Sequence, residues 1–322
     1  MEEKVVKILN EMSEYLSITQ MKKLQEVILK VFAEEDVDKV KIPNEEFLKM
    51  FLDAKKIEGC SERTLQYYKV TVEHLLSQTD VAVRKITTEE IRAYLAEYQK
   101  NSQCTNVTID NIRRNISSFF SWLEEEDYIL KSPMKRIHKI KTKTVVKNVI
   151  SDEGIEKLRD SCTEIRDLAI IDLLYSTGIR VGELVNLNID DIDLEGRECV
   201  VYGKGDKERR VYFDAKAKVH LKEYIERRDD SNSALFVTLD APHDRLKISG
   251  VEIRLRQLGR QLDLERIHPH KFRRTMATRA IDKGMPIEQV QKILGHSQID
   301  TTMQYAMVNQ NNVKTSHQKY MS

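Results

Sequence analysis

Apolar positions recur every three or four residues through most of the chain, and that spacing predicts helices. "PNEEFLKMFLDAKK" begins with Pro43 near a helix start. "SERTLQYYKVTVEHLLSQ" carries Leu65, Tyr68, Val72 and Leu75 at helical spacing. "TTEEIRAYLAEYQK" opens with Thr87 and Glu90 in the order of a capping box. "TIDNIRRNISSFFSWLEEE" sets Ile112, Ile116, Phe119, Phe120 and Leu123 on one stripe, which reads as core rather than as a ligand box. These segments predict a four-helix domain over residues 41–130. Residues 1–40 carry two further amphipathic patterns and end in the acidic "AEEDVD". They read as an N-terminal helical extension, and the sequence leaves its contacts open.

A second helical region starts at Ser151, a plausible N-cap with Asp152 and Glu153 in the first turn behind it. It runs over residues 151–322 with one interruption. "ECVVYGKGDKERRVYF" holds two β-branched or aromatic runs around Gly-Asp, the signature of a hairpin. "SALFVTL" is long enough for one more short strand. The fold class expected is therefore mainly α with a small antiparallel β-sheet. Between the two regions, Tyr128 to Ser151 contains no acidic residue but holds Lys131, Lys135, Arg136, Lys139, Lys141, Lys143 and Lys147. Residues 131–150 read as a basic linker, either a solvated tether or a strap that meets phosphates at Lys139, Lys141 and Lys143.

Composition narrows the class more than the chemistry. A chain of 322 residues exceeds what one compact core usually holds, so two or more domains are expected. With 33% charged and 40% hydrophobic residues it reads as globular and helix-rich. The net charge of +1 does not by itself announce a nucleic-acid partner. Even the apolar run "LAIIDLLY" is cut by Asp172, so no membrane span is expected. "MEEKVVKILNEMSEY" lacks a signal-peptide core, which makes a cytoplasmic location the expectation. Cys60, Cys104, Cys162 and Cys199 are scattered without a CxxC pair, against both a disulfide framework and a cysteine zinc site.

Four pieces of the second region carry cationic or hydrogen-bond-donating groups. In "YSTGIRVGELVNL", Gly178 breaks a helix and a new one begins around Ile179, so Arg180 falls in the first turn, where an anion is favoured. Glu183, three residues on, shares its face and can orient the guanidinium; the alternative is a surface ion pair. In "GKGDKERR", Lys204 sits between glycines at a hairpin tip, free to reach into a cleft or simply solvated. The order is not that of a P-loop. In "HPHKFRRTMATRAIDKG", Pro269 suits the first helical position and Gly284 the stop. Phe272, Met276 and Ala280 form the expected buried stripe, and His270 and Arg273 share the neighbouring face. His268 and His270 have no carboxylate or cysteine neighbours to complete a metal site. In "KILGHSQIDTTMQY", Gly295 ends a helix, His296 follows, and Tyr305 sits on the next helix. That is a helical corner with a surface tyrosine, or a nucleophile and its partner.

Each piece alone is weak, but their order is specific: R-x-x-E, a hairpin lysine, H-x-x-R, then L-G-H and Y. The sequence resembles the tyrosine recombinase family of phage integrases and Xer recombinases over residues 41–322. The resemblance implies an N-terminal four-helix DNA-binding domain of the SAM-like, core-binding kind and a C-terminal catalytic domain. It implies a catalytic set of Arg180, Lys204, His270, Arg273, His296 and Tyr305, with Glu183 behind Arg180. Arg113 and Arg114, flanking the apolar stripe of their helix, are available to phosphates. Two departures stand out. Arg274 occupies a position that is often histidine, and residues 1–40 lack a counterpart in a minimal Xer protein, which points to a mobile-element integrase.

The implied chemistry needs no metal and no cofactor. Arg180 and Arg273 stabilise charge on the non-bridging oxygens of a phosphodiester, and His296 donates a further hydrogen bond. Tyr305 attacks, His270 takes its proton and Lys204 protonates the leaving 5′-oxygen. The partners expected are duplex DNA carrying specific recombination sites and three further copies of the chain in a tetrameric synapse. An accessory protein or partner recombinase is a further possibility, and a membrane is not expected. The rivals are a type IB topoisomerase-like relaxase, an Xer-type dimer resolvase, and a DNA-binding regulator without activity.

Overall fold

The computed structural model describes residues 8–37, 42–142, 148–203, 208–296 and 298–306, and its contacts divide the chain into two compact units, Met1–Thr144 and Val145–Ser322. In the first unit, α1 is helical over residues 8–12 and α2 spans Ile18–Val37. Four helices follow: α3 (Asn44–Ile57), α4 (Glu62–Ser77), α5 (Thr88–Ser102) and α6 (Asn106–Glu125). Local chemistry sets their starts. Ser61 and Thr105 accept hydrogen bonds from backbone N–H groups three residues on, and Thr87 and Glu90 complete a reciprocal capping box. The core is aromatic: Phe47, Phe51, Phe119 and Phe120 are buried, with Ile91, Ile109, Ile116 and Leu123 between them. Ile112 and Tyr68, at the edges of their stripes, are only partly buried.

The basic stretch after α6 is not loose where it is described. Ile137 and Ile140 pack on the aromatic core, so the intervening Lys139 and the following Lys141 point to solvent. Asp110, only 3% exposed, accepts the Ile140 N–H at 3.0 Å. Asn106 Nδ2 donates to the Lys141 carbonyl at 3.1 Å, and Thr88 Oγ1 to that of Pro133 at 2.8 Å. The strap is thus held to α5 and α6 by side chains that satisfy its backbone.

The second unit packs α7 (Asp152–Asp160), α8 (Ile165–Thr177), α9 (Val181–Asn186), α10 (Ala215–Glu226), α11 (Ile248–Gln261) and α12 (Pro269–Asp282) around one apolar core. Ser151 caps α7 through the Gly154 N–H at 3.0 Å. A three-stranded antiparallel sheet, in the order β1 (Ile192–Asp193), β2 (Glu198–Tyr202) and β3 (Glu208–Tyr212), pairs Cys199 with Val211 and Val201 with Arg209. The "SALFVTL" segment makes only isolated bridges, Asn188 to Ala234 and Val237 to Arg245, and is not a strand of this sheet. The last described elements are α13 (Ile287–Leu294) and α14 (Asp300–Ala306).

One helix differs from its expected single buried stripe. Besides Phe272, α12 buries Lys271, Arg273, Arg274, Thr275, Ala277 and Thr278. It lies against α8, α11, α13 and α14, so little of its circumference meets water. Two buried guanidiniums on one helix need partners, and both take backbone carbonyls. Arg274, the departure from the histidine pattern, donates to the Asn148 carbonyl at 3.0 Å and so ties the start of this unit to α12.

Candidate active site

The site is built where two chain reversals, at Gly178 and Gly295, meet the start of α12. Gly178, at φ +64, ends α8 and lets the chain turn into α9. A Cβ there would also collide with Met276 of α12. Arg180 falls at the N-cap of α9 rather than inside its first turn. The N–H of Arg180 itself donates to Glu183 Oε2 at 2.8 Å. Its guanidinium reaches Glu183 Oε1 at 2.9 Å and the Gly295 carbonyl at 3.2 Å, with 44% of the side chain exposed.

Glu183 holds a second cation. Arg209 of β3 donates Nη1 and Nη2 to its two oxygens at 2.6 and 2.7 Å, and Nε to the Ile293 carbonyl at 2.9 Å. Burial raises the Glu183 carboxyl, but the Arg209 and Arg180 contacts outweigh that and hold it below the ordinary carboxylate range. It stays ionised between its two arginines.

Arg273 knits the remaining pieces. It is 2% exposed. Nη1 donates to the Gly178 carbonyl at 2.7 Å, and Nη2 donates to the Leu294 carbonyl at 2.5 Å and meets His296 Nε2 at 2.9 Å. Burial, then the charge of Arg180, pushes its guanidinium down to about 10, so it remains a cation at neutral pH. His296 follows Gly295, whose φ of +62 ends α13. Its Nδ1 lies 2.9 Å from Thr302 Oγ1, and its ring stacks on Tyr305 with centroids 6.1 Å apart. Burial, then Arg273 and Arg180, pushes His296 down to about 4, so it is neutral in the free protein. Tyr305 is 8% exposed against Ala277, Val290 and Leu294.

Arg180, Arg273, His296 and Tyr305 therefore come together, with Glu183 beneath Arg180. His270, in the first turn of α12, is exposed and acts electrostatically on His296. Lys204 and Lys143 lie outside the described residues. Arg113 and Arg114 both grip Asp110, at 2.8 and 3.0 Å; only Arg114, 59% exposed against 13% for Arg113, has its fork mostly in solvent. Among the described residues no cluster of three His, Cys, Asp or Glu side chains forms a metal-binding group.

Two residues of the site carry no local sequence flag. Arg209 is one. The clue to it is the strand period: Val211 is buried and Phe213 lies two residues on, so Arg209 falls on the inward face and requires a partner. Thr302 is the other, three residues before Tyr305 and on the same face of α14. The guanidiniums of Arg180 and Arg209 contact Glu183 and that of Arg273 lies within electrostatic reach, an arrangement suited to an anion whose charge grows during reaction.

The phage integrase family matches residues 148–312, and the phage integrase N-terminal SAM-like domain matches residues 47–130. Tyrosine recombinase XerC of Thermodesulfovibrio yellowstonii is 32% identical over 276 residues, covering 81% of this chain and 91% of the relative. Tyrosine recombinase XerC of Oceanobacillus iheyensis is 29% identical over 290 residues, covering 85% and 95%. Among solved structures, the Tn1549 transposon integrase in complex with transposon right end DNA superposes with a TM-score of 0.72 at 18% identity, covering 86% of this chain and 99% of that one. XerH site-specific recombinase bound to its palindromic difH substrate gives 0.69 at 20% identity, covering 99% and 95%. These two likenesses are of fold; the sequence matches carry the kinship, and by them the chain belongs to the phage integrase family of tyrosine recombinases, site-specific enzymes that break and rejoin DNA.

Proposed function

We propose that Arg180, Arg273 and His296 hold the scissile phosphodiester of duplex DNA while Tyr305 attacks its phosphorus. The Tyr305 Oη–P bond forms as the P–O5′ bond breaks, giving a 3′-phosphotyrosine and a 5′-hydroxyl. His270 takes the tyrosine proton and Lys204 gives one to the departing oxygen. The covalent link preserves the energy of the broken bond, so a second DNA end can reverse the attack without ATP. The observation that carries this reading is Arg273, whose fork joins the Gly178 turn next to Arg180, the end of α13 and His296, with Tyr305 stacked behind.

Exchange between two duplexes requires two cuts on each, so four copies on two paired sites, passing through a four-way junction, complete the reading. The DNA-bound recombinases among the structural neighbours support duplex DNA as the partner. Protease digestion of a trapped protein–DNA adduct, followed by mass spectrometry, tests the assignment: the modified peptide should contain Tyr305.

For the biological outcome, the relatives named XerC favour a dimer-resolving role over integration of a mobile element. The N-terminal extension is no longer evidence against it, since the XerH likeness spans 99% of the chain. Sequencing the DNA covalently captured in the native host separates the two: a single chromosomal site supports resolution, and element ends support mobility.

A further inference from the structure

Arg209 bridges two segments, α9 and the end of α13. Its fork covers both oxygens of Glu183 at 2.6 and 2.7 Å. Its Nε holds the Ile293 carbonyl at 2.9 Å, near the end of α13. Its Cδ lies 3.0 Å from where a Cβ on Gly295 would sit, so the side chain fills the space under the turn that leads to His296.

Glu183 is 4% exposed. A carboxylate so shielded must be compensated by charge. Arg180 touches it too, through its backbone N–H but only one guanidinium nitrogen, and with 44% of its own side chain in solvent. Without Arg209, the only guanidinium left in direct contact with Glu183 among the described residues would be that of Arg180. The carboxylate would then draw in the guanidinium that is to face the phosphate.

We propose that Arg209 is a positioning residue that neutralises Glu183 and pins the end of α13, so that Arg180 keeps its charge for the substrate and His296 keeps its place. The inference rests on the assignment of Arg180 and His296 to the phosphate. A lysine would supply the charge but not a planar fork able to hold a carboxylate and the Ile293 carbonyl together.

The test is single-turnover cleavage of a nicked suicide duplex by the full chain. Arg209→Ala should slow cleavage on the order of 10- to 100-fold with duplex affinity little changed. Arg209→Lys should recover little of that loss. Adding Glu183→Gln to Arg209→Ala should restore part of the rate, because a neutral amide no longer competes for Arg180. A merely structural contact would not be relieved by a second lesion beside it. A wild-type rate for Arg209→Ala, full activity of Arg209→Lys, or a double variant no faster than Arg209→Ala would overturn the proposal. If Arg209→Ala does not fold by circular dichroism, Arg209→Lys with and without Glu183→Gln makes the same comparison. Absence of a Tyr305 adduct in the wild-type control would instead overturn the assignment of the site.

Discussion

Arg273 Nη2 stands 2.9 Å from His296 Nε2, and because a guanidinium only donates, the histidine must accept. Its proton therefore sits on Nδ1, aimed at Thr302 Oγ1 at 2.9 Å. In the free protein His296 cannot donate through Nε2. Donation to a phosphate requires a proton on Nε2, gained by a shift of tautomer with the Thr302 hydroxyl turning to donate, or by a second protonation that the phosphate favours by screening Arg273 and Arg180.

His296 should therefore titrate near 4 in the free chain and move upward when a DNA site binds. Histidine NMR with and without duplex reads both midpoints. The folded value lies below the ordinary one of about 6.5, so stability is full above that pH and falls as the pH drops toward 4. A midpoint indifferent to DNA would separate His296 from the phosphate.

Tyr305→Phe should keep site binding and abolish covalent adducts on a nicked suicide substrate. The ring would retain its packing against Leu294 and Val290, so the melting temperature should hardly change. Persistent adducts would move the nucleophile to another residue, with Tyr320 the first to examine.

Lys204→Ala should be badly impaired on ordinary DNA and largely restored when the bridging 5′-oxygen is sulfur. A thiolate, with a free pKa near 8.5, leaves without a proton. Arg180→Ala should not recover, since its role concerns the non-bridging oxygens. Single-turnover rates for both variants on both substrates decide this, and equal rescue of the two would remove Lys204 as the acid.

Asp110→Asn should loosen the basic strap. Burial raises the Asp110 carboxyl, but the Arg113 bond, the Ile140 N–H and the two arginine charges prevail and hold it below the ordinary range. Its contribution is thus present above about pH 4 and lost as the pH falls below it. The variant should cost roughly 1–3 kcal/mol in urea unfolding at neutral pH, and less in acid. An unchanged unfolding midpoint would show that the strap does not depend on Asp110.

Lys139→Ala and Lys141→Ala should each reduce the slope of log affinity against log salt by about one unit. Both side chains project to solvent from the strap. Slopes equal to that of the wild type would place the DNA elsewhere.

What was legible in the sequence was local. The Thr87–Glu90 box, the Ser151 cap, the Phe119–Phe120–Leu123 stripe and the strands β2 and β3 each depend on neighbours within four residues or on a two-residue alternation. The order of Arg180, His270, Arg273, His296 and Tyr305 was legible as a family likeness. What was hidden is long-range. Nothing near residue 209 announces Glu183, 26 residues away, or Ile293, 84 residues away. The strap was equally hidden, because a run of lysines looks solvated until Ile137 and Ile140 find a core and Asp110 finds a backbone N–H.

Gly295 carries the last consequence. Its backbone is left-handed, and its missing side chain is the space that Arg209 fills. A saturation scan of position 295 should thus return glycine as the strongly preferred letter, with asparagine the least costly replacement. The usual inference from such intolerance, that a residue touches the substrate, would be mistaken here. Its failures should not be rescued from codon 209, because the residue that fills the space is itself required and the left-handed backbone would stay strained.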